Sequence, residues 1–148
     1  MTKANSMQRI LVPVDGSEMA VRAVDCALRL ARCSNDSVEL HLLNVQSPIV
    51  SGGVRMFFKR EDIEAYYQDC GQEALRAARE RLDQAGQSYV QKVRVGPLGE
   101  TIADYAKEQR CDHIVMGSRG LGSVSGMVLG SVATKVIHLA EVPVTLVK

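Results

Sequence analysis

The hydrophobic spacing of this chain switches repeatedly between strand-like runs and helical stripes, and that alternation limits its possible folds more than any other feature. Four of the six residues in Arg9–Val14 are apolar, and Asp15-Gly16-Ser17 stops the run, as expected of a strand buried on both faces. From Ala20 the period changes. Ala20, Ala23, Val24, Ala27, Leu28 and Ala31 fall on one helical stripe opposite Arg22, Asp25, Arg29 and Arg32, and Cys33-Ser34-Asn35-Asp36 ends it. Residues 37–45 read as a second strand, and 46–59, with Pro48 and Gly52-Gly53, as a long loop. A helix is expected over 60–85, with Ile63, Tyr67, Cys70, Ala74, Ala78 and Leu82 facing inward. Its outer side pairs Arg76 with Glu80 and Arg79 with Asp83 at i,i+4. A strand at Tyr89–Val95, a Gly96-Pro97 break, a helix at Glu100–Gln109 and a strand at His113–Met116 follow. The chain closes with a Gly/Ser-rich loop, a helix at Ser131–Leu139 and a strand at Pro143–Val147.

Five strands alternating with four helices predict an α/β fold. It is a single domain over 1–148 with an open parallel sheet of five strands and helices on both faces, since each parallel neighbour requires a right-handed helical crossover. Residues 1–7 read as a flexible N-terminal extension. The 18 Lys+Arg and 17 Asp+Glu residues nearly cancel, which argues against a nucleic-acid or membrane-surface partner. No apolar signal region opens the chain and no run of apolar residues is long enough to span a bilayer, so a soluble, cytoplasmic protein is expected. Cys26, Cys33, Cys70 and Cys111 form no C-x-x-C and read as buried, reduced thiols.

In an open parallel sheet, ligands sit beyond the carboxyl ends of the strands, where strand order reverses. Two segments leave such ends here, one at Asp15 and one at Gly117. The second reads MGSRGLGSVSGMVLGSVATKVI, with Gly117, Gly120, Gly122, Gly126 and Gly130 within fourteen residues and a helix starting at Ser131. Such a segment lets a ligand approach main-chain N–H groups and adds the donors of a helix N-terminus, which suits a polyphosphate; a merely tight loop is the competing explanation. Gly117 to Gly122 has Walker A glycine spacing, but Ser123 stands where the lysine belongs. The turn after strand one lacks G-x-G-x-x-G, which excludes a dinucleotide fingerprint. Ser51-Gly52-Gly53 resembles the start of a pyrophosphatase-type loop, yet Val54-Arg55 follows and it does not leave strand one.

The pattern G-x-x-G, nine residues, then G-[ST] is met by Gly117, Gly120, Gly130 and Ser131. It resembles the nucleotide-binding motif of the universal stress protein family. ILVPVDGS, HIVMGSRG and VPVTLVK resemble other signature stretches of that family, so the similarity spans essentially the whole chain. The resemblance implies a Rossmann-like sheet of order 3-2-1-4-5 and membership of the ATP-binding branch. It further implies a nucleotide site formed by Pro13, Val14 and Asp15 after strand one and Val45 after strand two. Met116, Gly117, Ser118, Arg119 and Gly120, then Gly130, Ser131 and Val132, complete that site around the glycine loop. Asp15 would contact the adenosine moiety and Val45 would flank adenine. Gly117, Gly120 and Gly130 would offer amides to phosphate, Ser131 a hydroxyl and Arg119 its planar fork. Read without the resemblance, Asp15 with Glu18 has the spacing of a capping box, Ser17 is an equally good N-cap, Val45 is ordinary core and Arg119 an ordinary surface arginine.

His41, His113 and His138 lack ligand spacing, so no metal site is expected, and no Ser-His-Asp or Cys-His set or water-activating base stands out. The expectation is a regulatory, stress-response ATP-binding module, with or without Mg2+, that hydrolyses slowly or not at all and acts on a protein partner the sequence does not identify. A slow ATPase or nucleotide-transferring enzyme and a ligand-free dimeric scaffold are the alternatives. The short, uncharged segment 143–147 would be an edge strand suited to homodimer pairing. The apolar residues Ile49, Val50, Val54, Met56, Phe57 and Phe58 are expected to pack across the sheet edge, with a partner surface or lid as the other reading.

Overall fold

A computed structural model of the chain describes residues 6–49, 52–121 and 126–148, the side chains of 54 and 55 excepted. Val50, Ser51, Gly122, Ser123, most of the N-terminal extension and the side chain of Val54 therefore lie outside the described residues. The elements run β1 (Gln8–Pro13), α1 (Glu18–Cys33), β2 (Val38–Gln46), α2 (Gly52–Phe57), α3 (Arg60–Gln84) and β3 (Tyr89–Val95). They continue with α4 (Leu98–Glu108), β4 (His113–Gly117), α5 (Ser131–Leu139) and β5 (Val144–Val147). All strand pairs are parallel, and the order is β3-β2-β1-β4-β5, as the resemblance implied.

Side-chain parity along β1 divides the core in two, because successive residues of a strand point to opposite faces. Ile10, Val12 and Val14 join α1 and α3 through Ala23, Val24, Ala27, Leu75, Ala78 and Leu82. Leu11 points the other way, with Leu43, Ile114 and Met116, into α4 and α5 through Ile102, Tyr105, Ala133 and Val136. Both faces of the three central strands are thus closed, which is why they read as apolar runs rather than alternating patterns. Among the described residues no helix is long and apolar enough to cross a membrane.

Several local expectations need correction. The expected loop at 46–59 contains the short helix α2, and Met56 and Phe57 at its end are 87% and 86% exposed, with Phe58 also exposed, so these three do not pack across the sheet edge. The buried stripe of α3 is Tyr67, Gly71, Leu75, Ala78 and Leu82, with Ile63, Cys70 and Ala74 only half-buried beside it. The two expected i,i+4 pairs, Arg76 with Glu80 and Arg79 with Asp83, do not form, although Arg60 and Glu64 make such a pair in the first turn of α3. Arg76 pairs with Glu73, Arg79 hydrogen-bonds Gln72 and reaches Gln91 of β3, and Asp83 accepts from the Tyr89 hydroxyl at 2.8 Å. Arg79 and Asp83 each reach a β3 neighbour because α3 lies against the sheet, while Arg76 pairs one turn back along the helix. Of the four free cysteines only Cys111 is buried, and Cys33, at the end of α1, is exposed. Burial pushes the Cys111 thiol up to about 11.

One polar group sits deep in the second core. His41 of β2 is 3% exposed; its Nε2 lies 2.8 Å from Glu39 Oε1 and its Nδ1 2.8 Å from the Tyr105 hydroxyl. With Nε2–H donated to the carboxylate, Nδ1 of the neutral ring accepts from Tyr105, so both nitrogens are satisfied without water. Arg94 lies over the same tyrosine ring, 4.9 Å from its centre. Tyr105→Phe keeps the ring but strands Nδ1, and a buried acceptor left unpaired costs about 1–3 kcal/mol. Chemical denaturation is expected to show a loss of that size with an unchanged m-value.

Candidate functional site

Strand order reverses at β1, whose neighbours β2 and β4 lead the chain away in opposite directions. At the carboxyl ends of these strands lies a cavity of about 540 Å³, within the roughly 300–1,000 Å³ of small-molecule sites. All twelve residues singled out from the sequence line it: Pro13, Val14, Asp15, Val45, Met116, Gly117, Ser118, Arg119, Gly120, Gly130, Ser131 and Val132. The wall also includes residues that sequence reasoning missed, among them Asn44 and Gln46 of β2, Tyr66 and Tyr67 of α3, and Leu98 and Ile102 of α4. Asn44 and Gln46 interrupt an apolar strand, which was a usable signal. The tyrosines and the α4 pair are far away in sequence and join the wall only when α3 and α4 pack on the sheet.

Asp15 does not cap α1. Ser17 does, its Oγ accepting from Ala20 N–H at 3.2 Å. The Asp15 carboxylate instead accepts Ser17 N–H on Oδ1 and Leu121 N–H on Oδ2, both at 2.9 Å, so it ties the end of β1 to the glycine loop across the cleft. Gly120 sits against this carboxylate so closely that a Cβ there would collide with Oδ2. Each carboxylate oxygen keeps a second acceptor direction for a ligand.

The glycine loop is held at its root as well. Ser118 is buried; its N–H donates to Val147 C=O at 2.8 Å, its C=O accepts from Gly130 N–H at 2.7 Å, and its Oγ–H faces Met19 Sδ at 3.5 Å. Ser118 and the Gly130 amide are thereby committed within the protein, and what Gly130 provides is space. A Cβ there would come within 3.3 Å of Ser118 C=O and 3.4 Å of Arg119 Cα. Gly130 is the N-cap of α5 and offers no side-chain cap, so the first N–H groups of α5, at Ser131, Val132 and Ala133, point their partial positive charge at the cleft. Arg119 is half-exposed and makes no ion pair among the described residues. With Asp15 it supplies the only charges on the described wall.

At the adenine side implied by the resemblance, β1 and β2 part company. The last paired residues are Pro13 and Leu43, followed by one more hydrogen bond from Val14 N–H to Leu43 C=O at 2.8 Å. Because main-chain groups alternate along a strand, the N–H and C=O of Val45 point to the same side as those of Leu43, beyond the end of that ladder. Gln46 C=O points the other way and accepts from Gly96 N–H at 3.0 Å.

Comparison with known proteins agrees with this architecture. The family model described as the universal stress protein family matches residues 7–148. The universal stress protein YxiE of Bacillus subtilis (strain 168) is 30% identical over 147 residues, covering 95% of this chain and 98% of YxiE. Among solved structures, the protein MJ0577 superposes with a TM-score of 0.80 at 27% identity, covering 95% of both chains. A universal stress protein crystallised in complex with cAMP superposes with a TM-score of 0.70 at 28% identity, covering 95% of this chain and 97% of that one.

The tie between Asp15 and Leu121 is testable without any ligand. A hydrogen bond to a charged group contributes about 1.5–3 kcal/mol, and about 1.4 kcal/mol is tenfold in an equilibrium. Asp15→Ala is expected to speed amide hydrogen exchange at Leu121 by about tenfold or more, with exchange in the centre of β1 unchanged.

Proposed function

The chain belongs to the universal stress protein family, and we propose that it is an ATP-binding member whose nucleotide lies in the cleft at the carboxyl ends of β1, β2 and β4. The observation that carries this reading is the N-terminus of α5, which has no side-chain cap and faces the cleft directly behind the glycine loop, with Arg119 alongside. A triphosphate needs several N–H donors and a counter-charge, and this is where the wall concentrates both. The opposite end suits adenosine: Val45 turns main-chain polar groups beyond the β1–β2 ladder, and the Asp15 carboxylate stands where a ribose hydroxyl can donate to it. The bound cAMP of the structural neighbour supports an adenine nucleotide in this fold.

Slow or absent turnover fits the same wall. Its titratable groups among the described residues are Asp15, Arg119, Tyr66 and Tyr67. The one carboxylate among them already accepts two amide N–H groups, which sets it as an acceptor for a ligand hydroxyl rather than as a base for water. In this reading nucleotide binding, with or without Mg2+, serves a regulatory, stress-response role in the cytoplasm, through the position of the glycine loop and the partners it admits. Titration calorimetry with ATP and GTP tests the reading. ATP is expected to bind at least about tenfold more tightly, a difference of about 1.4 kcal/mol; equal affinities would remove the adenine end while leaving the phosphate end, and no binding of either would remove both.

The same reading includes a homodimer formed along β5. That strand is the sheet edge beside β4, its four residues are all half-buried, and its ladder to β4 occupies one side only. Pro143 precedes the strand, where its missing N–H is tolerated. A two-fold mate would add an antiparallel β5 and continue the sheet. Pro143 and Val147 turn their C=O to β4, so Thr145 faces β4 as well and Leu146 holds its N–H on the free edge. Light scattering is expected to give a dimer for the native chain and a folded monomer for Leu146→Pro. A native monomer, or a folded dimeric variant, would place the interface elsewhere or dismiss it.

A further inference from the structure

Two polar side chains on β2 form a relay that starts from a main-chain carbonyl and ends in the cleft. Asn44 is 2% exposed, and its Nδ2 donates to Val14 C=O at 2.8 Å. A carbonyl oxygen only accepts, so it fixes which end of the Asn44 amide faces it and leaves Oδ1 directed toward Gln46. Oδ1 in turn only accepts, and Gln46 meets it with Nε2 at 2.7 Å. The orientation of the Gln46 amide is thereby set from the end of β1. A flipped Gln46 would bring Oε1 against Asn44 Oδ1, two acceptors in contact.

Gln46 lines the cleft beside Val45. Among the described residues its Oε1 accepts no hydrogen bond, and Nε2 carries a second hydrogen not used by Asn44. An amide that presents an acceptor next to a donor matches the edge of adenine, whose exocyclic amine donates and whose adjacent ring nitrogen accepts. The 6-oxo purines present the opposite pattern along the Watson–Crick edge. A freely rotating glutamine can turn over to satisfy either base, whereas a locked one satisfies one pattern only.

We infer that Gln46, held in one orientation by the chain Val14 C=O, Asn44, Gln46, is the side chain that selects a 6-amino purine over a 6-oxo purine in the cleft. The inference rests on the nucleotide reading of the cleft and adds to it the group that reads the base. Gln46 is a specificity residue, and Asn44 positions it.

The test is calorimetry with ATP and ITP, which differ on this edge, on the native chain and on Gln46→Leu. Gln46→Ala is a second variant, and thermal melting confirms that both are folded. A well-made bidentate amide contact discriminates between bases by about tenfold or more. The native chain is expected to bind ATP at least about tenfold more tightly than ITP, and both variants to narrow that ratio to within about twofold. A native preference for ATP that the folded variants retain would overturn the inference and leave the nucleotide reading standing. Equal affinity of the native chain for ATP and ITP would also overturn it while sparing the phosphate end of the site. A native chain that binds neither would overturn the nucleotide reading and the inference with it.

Discussion

Because β1 is hydrogen-bonded along both edges and covered on both faces, the polar groups at its carboxyl end have few ways to be satisfied, and the cleft is built from the solutions. Val14 N–H goes to Leu43, and Val14 C=O takes the amide of Asn44. The Asp15 carboxylate takes one N–H from its own turn and one from the glycine loop. The two bonds of Val14 fix β2, and the bond from Leu121 to Asp15 fixes the loop after β4. An unpaired buried polar group costs more than a typical hydrogen bond returns, so this pairing is imposed by the burial of β1 itself. The cleft proposed to hold a nucleotide is what remains between segments gathered for that reason.

The glycine loop is accordingly less loose than its composition suggests. Ser118 anchors it to β5 on one side and to the start of α5 on the other, and Asp15 draws in Leu121 from across the cleft. A phosphate approaching this region meets a loop already held near a carboxylate, with Arg119 and the α5 N-terminus as the compensating positive groups. On the proposed nucleotide reading, binding there would set an anion close to Asp15 and so give the ligand leverage over the position of the loop.

Much of this was legible in the sequence for a physical reason: the features that show are local. The period of α1 and the bounds of α5 depend on residues within a few turns, and the parity of Ile10, Leu11 and Val12 follows from strand geometry alone. The glycine pattern Gly117, Gly120 and Gly130 was equally readable because a Cβ at each would meet a neighbouring atom at 3.3 Å or less. What escaped depends on distance. Gln91 and Tyr89 of β3 take Arg79 and Asp83, which the helical spacing of α3 pairs with each other. The apolar character of Met56, Phe57 and Phe58 suggested burial, but all three are exposed at the end of α2. Tyr66 and Tyr67 enter the cleft wall only through the docking of α3, and the capping role divided between Asp15 and Ser17 was decided by the reach of Leu121.

The unequal environments of the thiols give the molecule a built-in chemical address. Thiolate, not thiol, is the reactive form, and Cys111 is kept protonated at neutral pH by its burial. Cys33 lies at the surface, at the far end of a 16-residue helix whose first turn borders the cleft. At 1.5 Å per residue that helix places it about 24 Å from the site. With the half-buried Cys26 and Cys70 replaced by serine, a maleimide fluorophore at Cys33 would therefore ride at the opposite pole of the sheet, reporting tumbling and association away from the cleft.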